Sequence, residues 1–552
     1  MKKKFRIPLF LCFILFVGIA ARERAGDGKY FEISKNIEIF TNLYKELNTN
    51  YVNELDPAKL MRTGVEAMLN SLDPYTNYIS ESDIEGYRFI TEGKYNGVGA
   101  SFDKLNDDVL VTEIFEKSPA QKGGLKAGDR IVAVDGKKAG GKSIEEVGDA
   151  LKGSAGSSVE LTVSRMQTDG SFKTQRIKLT RDEISEQNVP YSGLVGDHVG
   201  YIVLTTFTRE AGDNVRKAFT DLKAKDPKLK GVILDLRNNG GGLLNEAVNI
   251  CNIWLPKDQL VVATKGKVIE WDRSFKTLNA VDDEQMPITV LVNKGSASAS
   301  EIVSGTLQDY DRAIIMGQRS YGKGLVQNIY DIGYNSKLKI TTAKYYTPSG
   351  RCIQAVKYEN GKHVDIPDSL RAAFKTKNGR PVLDGGGIKP DVLLPRADDF
   401  GLMRALKEKF ILLDFVTKYT LTHDSASLGA PENYRFTDFE AFTDFVNKSG
   451  FKYENESEKY LKKLKEEVVK EKTDVTLSSE INALDDKIKM EKKNDLMRHK
   501  EDILHEIEKE IVARYYFERG TIQTNLRNDE EIKSAVSLFN DAQKFKTLLN
   551  KQ

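Results

Sequence analysis

Four apolar segments in the middle of the chain constrain its fold more than any other feature. They read GYIVLTTF from Gly200, GVILDLR from Gly231, ITVLVN from Ile288 and RAIIMG from Arg312. Helix-like segments such as NEAVNICNIWL lie between them. Strands that are apolar on both faces are typical of a sheet covered by crossover helices. The sequence therefore predicts an α/β domain over residues 200–395, with functional loops at the strand ends.

The segments that flank this domain have different sequence patterns. Residues 30–90 begin with amphipathic helices that stop at LDPYTNYIS, because a residue that precedes proline disfavours the helical region. Residues 93–184 carry short strands between glycine and aspartate turns, and one helix that Ser143 and Glu146 start with a capping box. Residues 400–552 place Leu and Ile at helical spacing among Lys and Glu, which predicts a solvated, charged helical extension.

The first 21 residues have the layout of a secretory signal peptide. A basic start precedes an apolar stretch from Ile7 to Val17, and small residues follow at Gly18, Ala20 and Ala21. We therefore expect export, to the periplasm or the outer face of the membrane in a bacterium. The apolar run is short for a full membrane span, so cleavage of this segment and its retention as an anchor both stay open.

Composition and the remaining motifs exclude several classes of function. The net charge is +2, from 83 basic and 81 acidic residues, so no global field favours a nucleic-acid partner. The sequence has no C-x-x-C, no H-E-x-x-H and no Cys/His cluster, and we expect no metal ion or other cofactor. Cys251 and Cys352 are interpreted as ordinary buried thiols.

A dense run of serines, SASASEIVSG from Ser296 to Gly305, follows one of the apolar strands. One interpretation is helix capping, since Ser is favoured at an N-cap. The other is a nucleophile on a strand-to-helix turn, assisted by the helix dipole. A serine nucleophile needs a base, and the usual histidine is not near: His198 sits in an ordinary turn.

A lysine desolvated enough to be neutral is the other base that a serine nucleophile can use. Lys323 is the candidate, because Gly322 and Gly324 flank it and let the backbone approach closely. Taken alone, such a lysine is more often a solvated surface residue. The three glycines Gly240 to Gly242 supply a turn suited to an oxyanion hole, and the absence of a following G-K-[ST] excludes a Walker phosphate loop.

Together these motifs resemble the carboxyl-terminal processing peptidases, also called tail-specific proteases. The resemblance rests on the 35-residue run from NKGSASASEIVSG to YGKGLVQ, with LDLRNNGGGLL, LDPYTNYIS, KYYTPSGRCIQ and GGIKPDV, and it covers residues 30–392. It implies a multidomain α/β fold with N-terminal helices, an inserted PDZ-like β domain and a crotonase- or Clp-like protease core. It further implies Ser298 as nucleophile, Lys323 as general base and Gln327 as the amide that orients the amine.

The same resemblance assigns the remaining site residues. The implied oxyanion donors are the N–H groups of Ala299 and Gly242, with Gly241 not excluded, while Ser296 and Ser300 cap or pack. The β domain resembles a PDZ domain, in which successive backbone N–H groups bind a chain terminus. Its implied peptide-binding residues are those of the carboxylate-binding loop, Gly97, Val98, Gly99 and Ala100, and those of the groove, Ile144, Val147 and Leu151.

These observations predict an exported serine endopeptidase that cleaves proteins recognised by their C-terminal tails. The alternative is a non-catalytic, PDZ-containing binding or scaffold protein on the same fold. A Ser/His/Glu hydrolase related to tricorn proteases would need a histidine in the N-terminal helices, and none precedes His198. An adaptor protein, membrane anchoring and a homo-oligomer are left open.

Overall fold

The structure is a computed structural model in which the chain forms two compact units. It describes residues 8–83, 86, 88, 92–354, 356–359, 362–395, 401–423 and 428–550. One unit contains residues 1–78 and 358–362, and the other contains residues 79–357 and 363–552. Residues 1–7 of the predicted signal segment and residues 396–400, where the predicted core meets the extension, lie outside the described residues.

The first unit is helical, as the sequence predicts. Asp56 accepts a hydrogen bond from the Lys59 N–H at 3.1 Å and so caps the second helix, whose first residue is Pro57. Its elements are α1 Pro8–Asn50 and α2 Pro57–Asn70, followed by the short strand β1 Asn77–Ile79. Among the described helices, none combines the length and apolar character that crossing a bilayer requires.

The inserted β domain begins and ends at one place, because β2 Lys94–Gly97 pairs with β9 Asp182–Ser185. Its sheet has the strand order β3-β4-β5-β7-β8, which leaves β3 at an edge, and β6 pairs with β5. The capping box of Ser143 and Glu146 is confirmed at the start of a helix. The elements of the domain are β3 Ala100–Leu105, β4 Asp108–Ile114, α3 Pro119–Lys122, β5 Arg130–Val134, β6 Lys137–Lys138, α4 Ile144–Leu151, β7 Ser158–Met166 and β8 Phe172–Thr180.

The predicted α/β domain is confirmed, and its main sheet has the order β10-β11-β12-β15-β16-β23. All neighbours in this sheet are parallel except β10 and β11. Its strands are β10 Tyr191–Val195, β11 Val199–Val203, β12 Gly231–Asp235, β15 Ile288–Val292, β16 Ile314–Gly317 and β23 Val392–Leu393. The helices of this domain are α5 Ala211–Lys225, α6 Leu244–Trp254 and α7 Ala299–Asp309, and all three pack into one hydrophobic core on the sheet.

The same domain contains a second sheet, which is antiparallel. Strand β18 pairs antiparallel with β17 and with β13, which in turn pairs with β14. The strands of this sheet are β13 Leu260–Gly266, β14 Arg273–Lys276, β17 Leu325–Gly333 and β18 Ser336–Tyr346. Two separate two-stranded sheets follow in the chain, β19 Val356–Glu359 with β20 Lys362–Asp365, which include residues 358–362 of the first unit, and β21 Ala373–Lys375 with β22 Pro381–Leu383. Both cysteines are free thiols; Cys251 is buried, as the sequence predicts, whereas Cys352 is only half-buried.

The C-terminal segment is helical, and one part of it builds its own core of Leu, Ile and Phe side chains. The helices are α8 Gly401–Glu408, α9 Ile411–Thr420, α10 Phe439–Lys448, α11 Glu456–Lys470, α12 Asp474–Lys492, α13 Asp495–Arg498, α14 Lys500–Leu526, α15 Glu530–Phe539 and α16 Ala542–Leu548. Helix α14 has a kink at Phe517, whose backbone is not helical.

The last two helices cover the second face of the main sheet. Ile532, Ala535 and Leu538 of α15 are buried in one cluster with side chains of the main sheet. Phe539 stands over the start of β12, where a Cβ on Gly231 would lie 2.3 Å from the Phe539 ring. The helical extension is therefore also a layer of the α/β domain, which the charge-rich sequence of this segment does not suggest.

We expect Phe539→Ala to lower the free energy of unfolding of the α/β domain by about 3–5 kcal/mol, because it empties a buried site over the sheet. Phe539 is 8% exposed, and Tyr460 on α11, which is 67% exposed, offers the matched control Tyr460→Ala. Denaturant unfolding can be followed by tryptophan emission, since Trp254 is fully buried in the domain core and Trp271 is exposed. Equal midpoints for the two variants would contradict the assigned packing.

Candidate active site

Three loops meet at the carboxyl ends of neighbouring parallel strands in the main sheet. The first, which we call the glycine loop, comprises residues 238–242 after β12. The second is the serine turn, residues 293–298 between β15 and α7. The third is the lysine loop, residues 318–324 after β16. Open α/β sheets hold their ligands at the carboxyl ends of such strands, so this edge of the sheet is where chemistry is expected.

Ser298 occupies a strained turn immediately before α7. Its backbone has φ 55° and ψ −112°, a region that residues other than glycine rarely adopt. Its N–H donates to Glu301 Oε2 at 2.9 Å, and its side chain is half-buried. Strain of this kind occurs where a side chain must be aimed, and the N-terminus of α7 adds a positive partial charge beside it.

The two neighbouring serines are buried and connect the serine turn to the glycine loop and its approach. Ser296 Oγ donates to the Leu236 carbonyl at 2.8 Å and accepts the Asn293 N–H at 2.9 Å. Ser300 Oγ donates to the Asn239 carbonyl at 2.8 Å. The three serines of the motif therefore differ in environment, and only Ser298 is solvent-accessible.

The glycine loop packs directly against Ser298. A Cβ on Gly241 would lie 2.7 Å from the Ala297 carbonyl oxygen and 2.8 Å from Ser298 Cβ, so only glycine fits there. The Gly241 N–H is already donated to Asn239 Oδ1 at 2.9 Å. For the N–H groups of Gly242 and Ala299, no acceptor is found among the described residues.

Glu301 joins the serine turn to the lysine loop. Its carboxylate is completely buried and accepts four hydrogen bonds. Oε2 accepts the N–H groups of Ser298, at 2.9 Å, and of Lys323, at 2.8 Å. Oε1 accepts the Gly322 N–H at 2.7 Å and the Ser320 hydroxyl at 2.5 Å. One side chain thus fixes the backbone of Ser298 and that of Lys323 relative to each other.

Tyr345 of β18 is a second connection between these two residues. Its hydroxyl lies 3.1 Å from the Ser298 carbonyl oxygen and within hydrogen-bonding distance of the Lys323 carbonyl oxygen. The Tyr345 side chain is 1% exposed, so the contact excludes water. The backbone of the two residues is therefore held from both sides, by a buried carboxylate and by a buried phenol.

The electrostatics of Glu301 follow from its position. Burial raises the pKa of its carboxyl to about 7, against hydrogen bonds from Ser320, Gly322, Lys323 and Ser298 that lower it. Folding therefore favours the protonated form. The resulting contribution to the free energy of unfolding is present below the ordinary pKa of 4.5 and is lost as the pH rises through 7.

A cleft of about 510 Å³ runs along the second sheet next to the glycine loop. Gln327 of β17 lies in its wall, and the Gln327 amide donates to Thr341 Oγ1 at 3.2 Å. The apolar residues of the wall are Leu243, Leu244, Val268, Trp271, Phe275, Val326 and Ala343. The cleft can therefore take an extended chain with apolar side chains.

In the β domain, the structure places the predicted peptide-binding residues around the edge strand β3. The loop residues Gly97, Val98, Gly99 and Ala100 are buried. Val147 and Leu151 of α4 are 1% and 3% exposed and belong to the domain core, while Ile144 is half-buried. The free edge of β3 suits the addition of a peptide strand, and the contribution of each of these residues to binding stays a prediction.

Sequence reasoning missed Glu301 and Tyr345 as site residues. The contact of Glu301 with Ser298 could have been predicted from the sequence, because the two residues have the S-x-x-E spacing that places a carboxylate next to the N-cap amide. Its hydrogen bonds to Gly322 and Lys323 could not, because they join segments about twenty residues apart. Tyr345 carries no local signal, since its two acceptors come from other elements.

Three family models match segments of this chain. Residues 198–366 match the family model of peptidase family S41, residues 110–165 match that of a PDZ domain, and residues 402–539 match that of the C-terminal helical domain of a probable PDZ-protease. A carboxy-terminal-processing protease of Bartonella bacilliformis is 39% identical over 328 residues, which cover 58% of this chain and 73% of the relative. A probable CtpA-like serine protease of Staphylococcus aureus is 35% identical over 360 residues, 64% of this chain and 70% of the relative.

Among solved structures, the photosystem II D1 C-terminal processing protease is similar to this chain. It is 28% identical, and the match covers 67% of this chain and 96% of that chain with a TM-score of 0.36.

We expect Glu301→Gln to lower kcat at least tenfold while the fold is retained, by analogy with the loss of positioned donors and acceptors in active sites. The amide would turn one oxygen into an N–H donor, which must face at least one backbone N–H in either orientation. Glu284→Gln, on an exposed residue of the same domain, is the control. Hydrolysis of an unstructured protein with an apolar tail, together with circular dichroism, measures the effect. An unchanged kcat would show that Glu301 does not hold the two loops.

We also expect the pH dependence of kcat/KM to carry a limb near pH 7 that belongs to Glu301, whose carboxyl has a pKa of about 7. Only the deprotonated carboxylate accepts all four hydrogen bonds, so activity should rise as the pH increases through 7. The same profile measured on Glu301→Gln should lack this limb and keep only the rise that other groups cause. Superimposable profiles would assign the limb to another group.

Proposed function

Since this chain belongs to the carboxy-terminal-processing protease family and is a serine peptidase, we propose that Ser298 is its nucleophile and Lys323 its general base. The observation that carries the proposal is the Glu301 carboxylate, which accepts the N–H groups of both residues. Their backbones are held by one buried group, as a pair that must exchange a proton requires. His198 does not compete for the role of base, because it precedes β11 at the amino ends of the parallel strands, whereas Ser298 follows the carboxyl end of β15.

The proposed reaction is acyl transfer. Neutral Lys323 takes the Ser298 hydroxyl proton as Oγ attacks the scissile carbonyl carbon, and the resulting ammonium gives a proton to the leaving amine. Water then hydrolyses the acyl-enzyme by the same route. Gln327 is proposed to orient the Lys323 amine, because an amide can do so without changing its charge.

The oxyanion that forms in this reaction is proposed to bind the N–H groups of Ala299 and Gly242. Both amides are without an acceptor in the part of the chain that the structure describes. Gly241 was the alternative, but its N–H is donated to Asn239, which favours Gly242. Two backbone N–H groups aimed at one position are what an oxyanion hole requires.

Substrate selection is proposed to lie in the β domain, whose residues 110–165 match a PDZ domain and which would bind peptides as such domains do. A C-terminal tail would add to the free edge of β3, with its carboxylate at the loop of residues 97–100 and its side chains against Ile144, Val147 and Leu151. The apolar cleft beside Gln327 would then receive the chain upstream of that tail.

Export and the division into domains are also proposals. The signal-like residues 1–21 would direct the chain out of the cytoplasm. Outside the cytoplasm, the protein would act on exported proteins. The boundaries 30–90, 93–184, 200–395 and 400–552 follow the changes in sequence pattern. Strand β10 begins at Tyr191, before residue 200, and packing of α15 on the main sheet ties the extension to the core.

We expect Ser298→Ala and Lys323→Arg each to lower kcat by roughly 10⁴-fold or more, as loss of a nucleophile or base does in serine proteases. Arginine is similar in length but always protonated, so it replaces the lysine without being able to accept a proton. Lys294→Arg, on an exposed residue of the serine turn, is the control. Cleavage of an unstructured protein with an apolar tail measures kcat, and circular dichroism checks folding. Parental activity in folded Lys323→Arg would exclude Lys323 as the base.

A further inference from the structure

An ion-pair network joins the glycine loop to a segment almost 300 residues later in the chain. Arg237 immediately precedes the loop, and its guanidinium contacts Asp235 at the end of β12, with Nη2 2.6 Å from Oδ2. The same Nη2 lies 2.8 Å from Asp529 Oδ2, and Nη1 lies 2.6 Å from Glu531 Oε2. The side chains of Arg237, Asp529 and Glu531 are 16–17% exposed, so solvent screens these pairs only weakly.

Glu531 also reaches the lysine loop. Its second carboxylate oxygen accepts a hydrogen bond from Nε2 of Gln318, the first residue of that loop. Gln318 Nε2 further donates to the Leu394 carbonyl at 3.1 Å, and the Gln318 N–H donates to the Val292 carbonyl at 3.0 Å. One carboxylate of the helical extension therefore contacts the first residue of the lysine loop and the residue before the glycine loop.

The position of this carboxylate is itself fixed. Asp529 caps α15, because its Oδ1 accepts the N–H groups of Glu531 and Ile532, both at 3.0 Å. The opposite side of α15 is buried on the main sheet. The start of α15 is therefore fixed in position, and Asp529 and Glu531 contact the residues next to the two loops from there.

Each carboxylate oxygen of Glu531 accepts from a different donor, Nη1 of Arg237 or Nε2 of Gln318. A glutamine amide in its place turns one oxygen into a donor, so one of the two contacts is lost. When the lost contact is the one at Nη1, Arg237 keeps Asp235 and Asp529 but is held on one side only. The backbone that it anchors leads within five residues to Gly242, whose amide we propose as an oxyanion donor. Positions of such donors matter, since catalysis depends on donors fixed before the charge develops.

We propose that Asp529 and Glu531 of the helical extension are positioning residues for catalysis, which hold the glycine loop and the lysine loop in register through Arg237 and Gln318. This inference rests on the proposed function, because it assigns the loops the roles given there. The two acids act through other residues and contact neither the nucleophile nor the cleft. Their loss should therefore lower kcat and leave KM unchanged.

The test compares Glu531→Gln with Glu530→Gln in the full chain. Glu530 is the preceding residue on the same helix, its side chain is 81% exposed, and among the described residues its ion pair is with Lys533 of that helix. We expect Glu531→Gln to lower kcat about tenfold, less than the 10²- to 10³-fold that loss of an oxyanion donor costs, with KM within about twofold. Glu530→Gln should retain parental values of both constants.

Asp529→Asn is the second variant, because asparagine keeps the N-cap while its amide cannot replace the carboxylate that faces Arg237. It should show the same loss of kcat as Glu531→Gln and a parental circular dichroism spectrum. Parental kcat in both folded variants, or a loss that appears only in KM, would overturn the proposal.

A readout independent of catalysis separates this inference from the proposed function. Amide hydrogen exchange of the peptide that covers residues 236–243 should become faster in Glu531→Gln and stay parental in Glu530→Gln. Inactivity of the parent enzyme on every tail, with Ser298→Ala indistinguishable from it, would refute the proposed function while the exchange measurement still decides the network. Parental exchange in Glu531→Gln would overturn the network.

Discussion

The buried carboxylate of Glu301 is the interaction on which the rest of the candidate site depends. A carboxylate without partners is costly to bury, and four hydrogen bonds from the serine turn and the lysine loop offset that cost. The site is therefore self-consistent: the loops satisfy Glu301, and Glu301 fixes the loops at the ends of β15 and β16.

The main sheet supplies the frame that makes this possible. Parallel neighbours bring the ends of β12, β15 and β16 to one edge, so loops that are far apart in sequence share one small volume. Ser296 then joins the serine turn to Leu236, shortly before the glycine loop, and Ser300 joins the first turn of α7 to Asn239 of that loop. Short polar side chains suit this task, because they reach a neighbouring backbone without opening a cavity.

Much of this arrangement could be predicted from the sequence, and the part that could not has a common physical cause. Continuous apolar strands, glycine turns and the capping box of Ser143 are local patterns, and each led to the observed element. The pairing of Arg237 with Glu531, the contacts of Tyr345 and the burial of α15 depend on which distant segments meet. The C-terminal segment is rich in Lys and Glu, so its composition indicated a solvated extension. That composition does not reveal that one face of α15 is apolar.

The placement of α15 on the main sheet has a consequence for biosynthesis. Residues 529–549 are translated after every strand of that sheet, so during elongation one apolar face of the sheet is bare and Arg237 has only Asp235 beside it. Exposed apolar surface in a nascent chain is a target for chaperones. The glycine loop and the lysine loop also lack the contacts with Asp529 and Glu531 at that stage. The contacts by which the extension holds the glycine loop and the lysine loop can therefore form only after residues 529–549 have been synthesised.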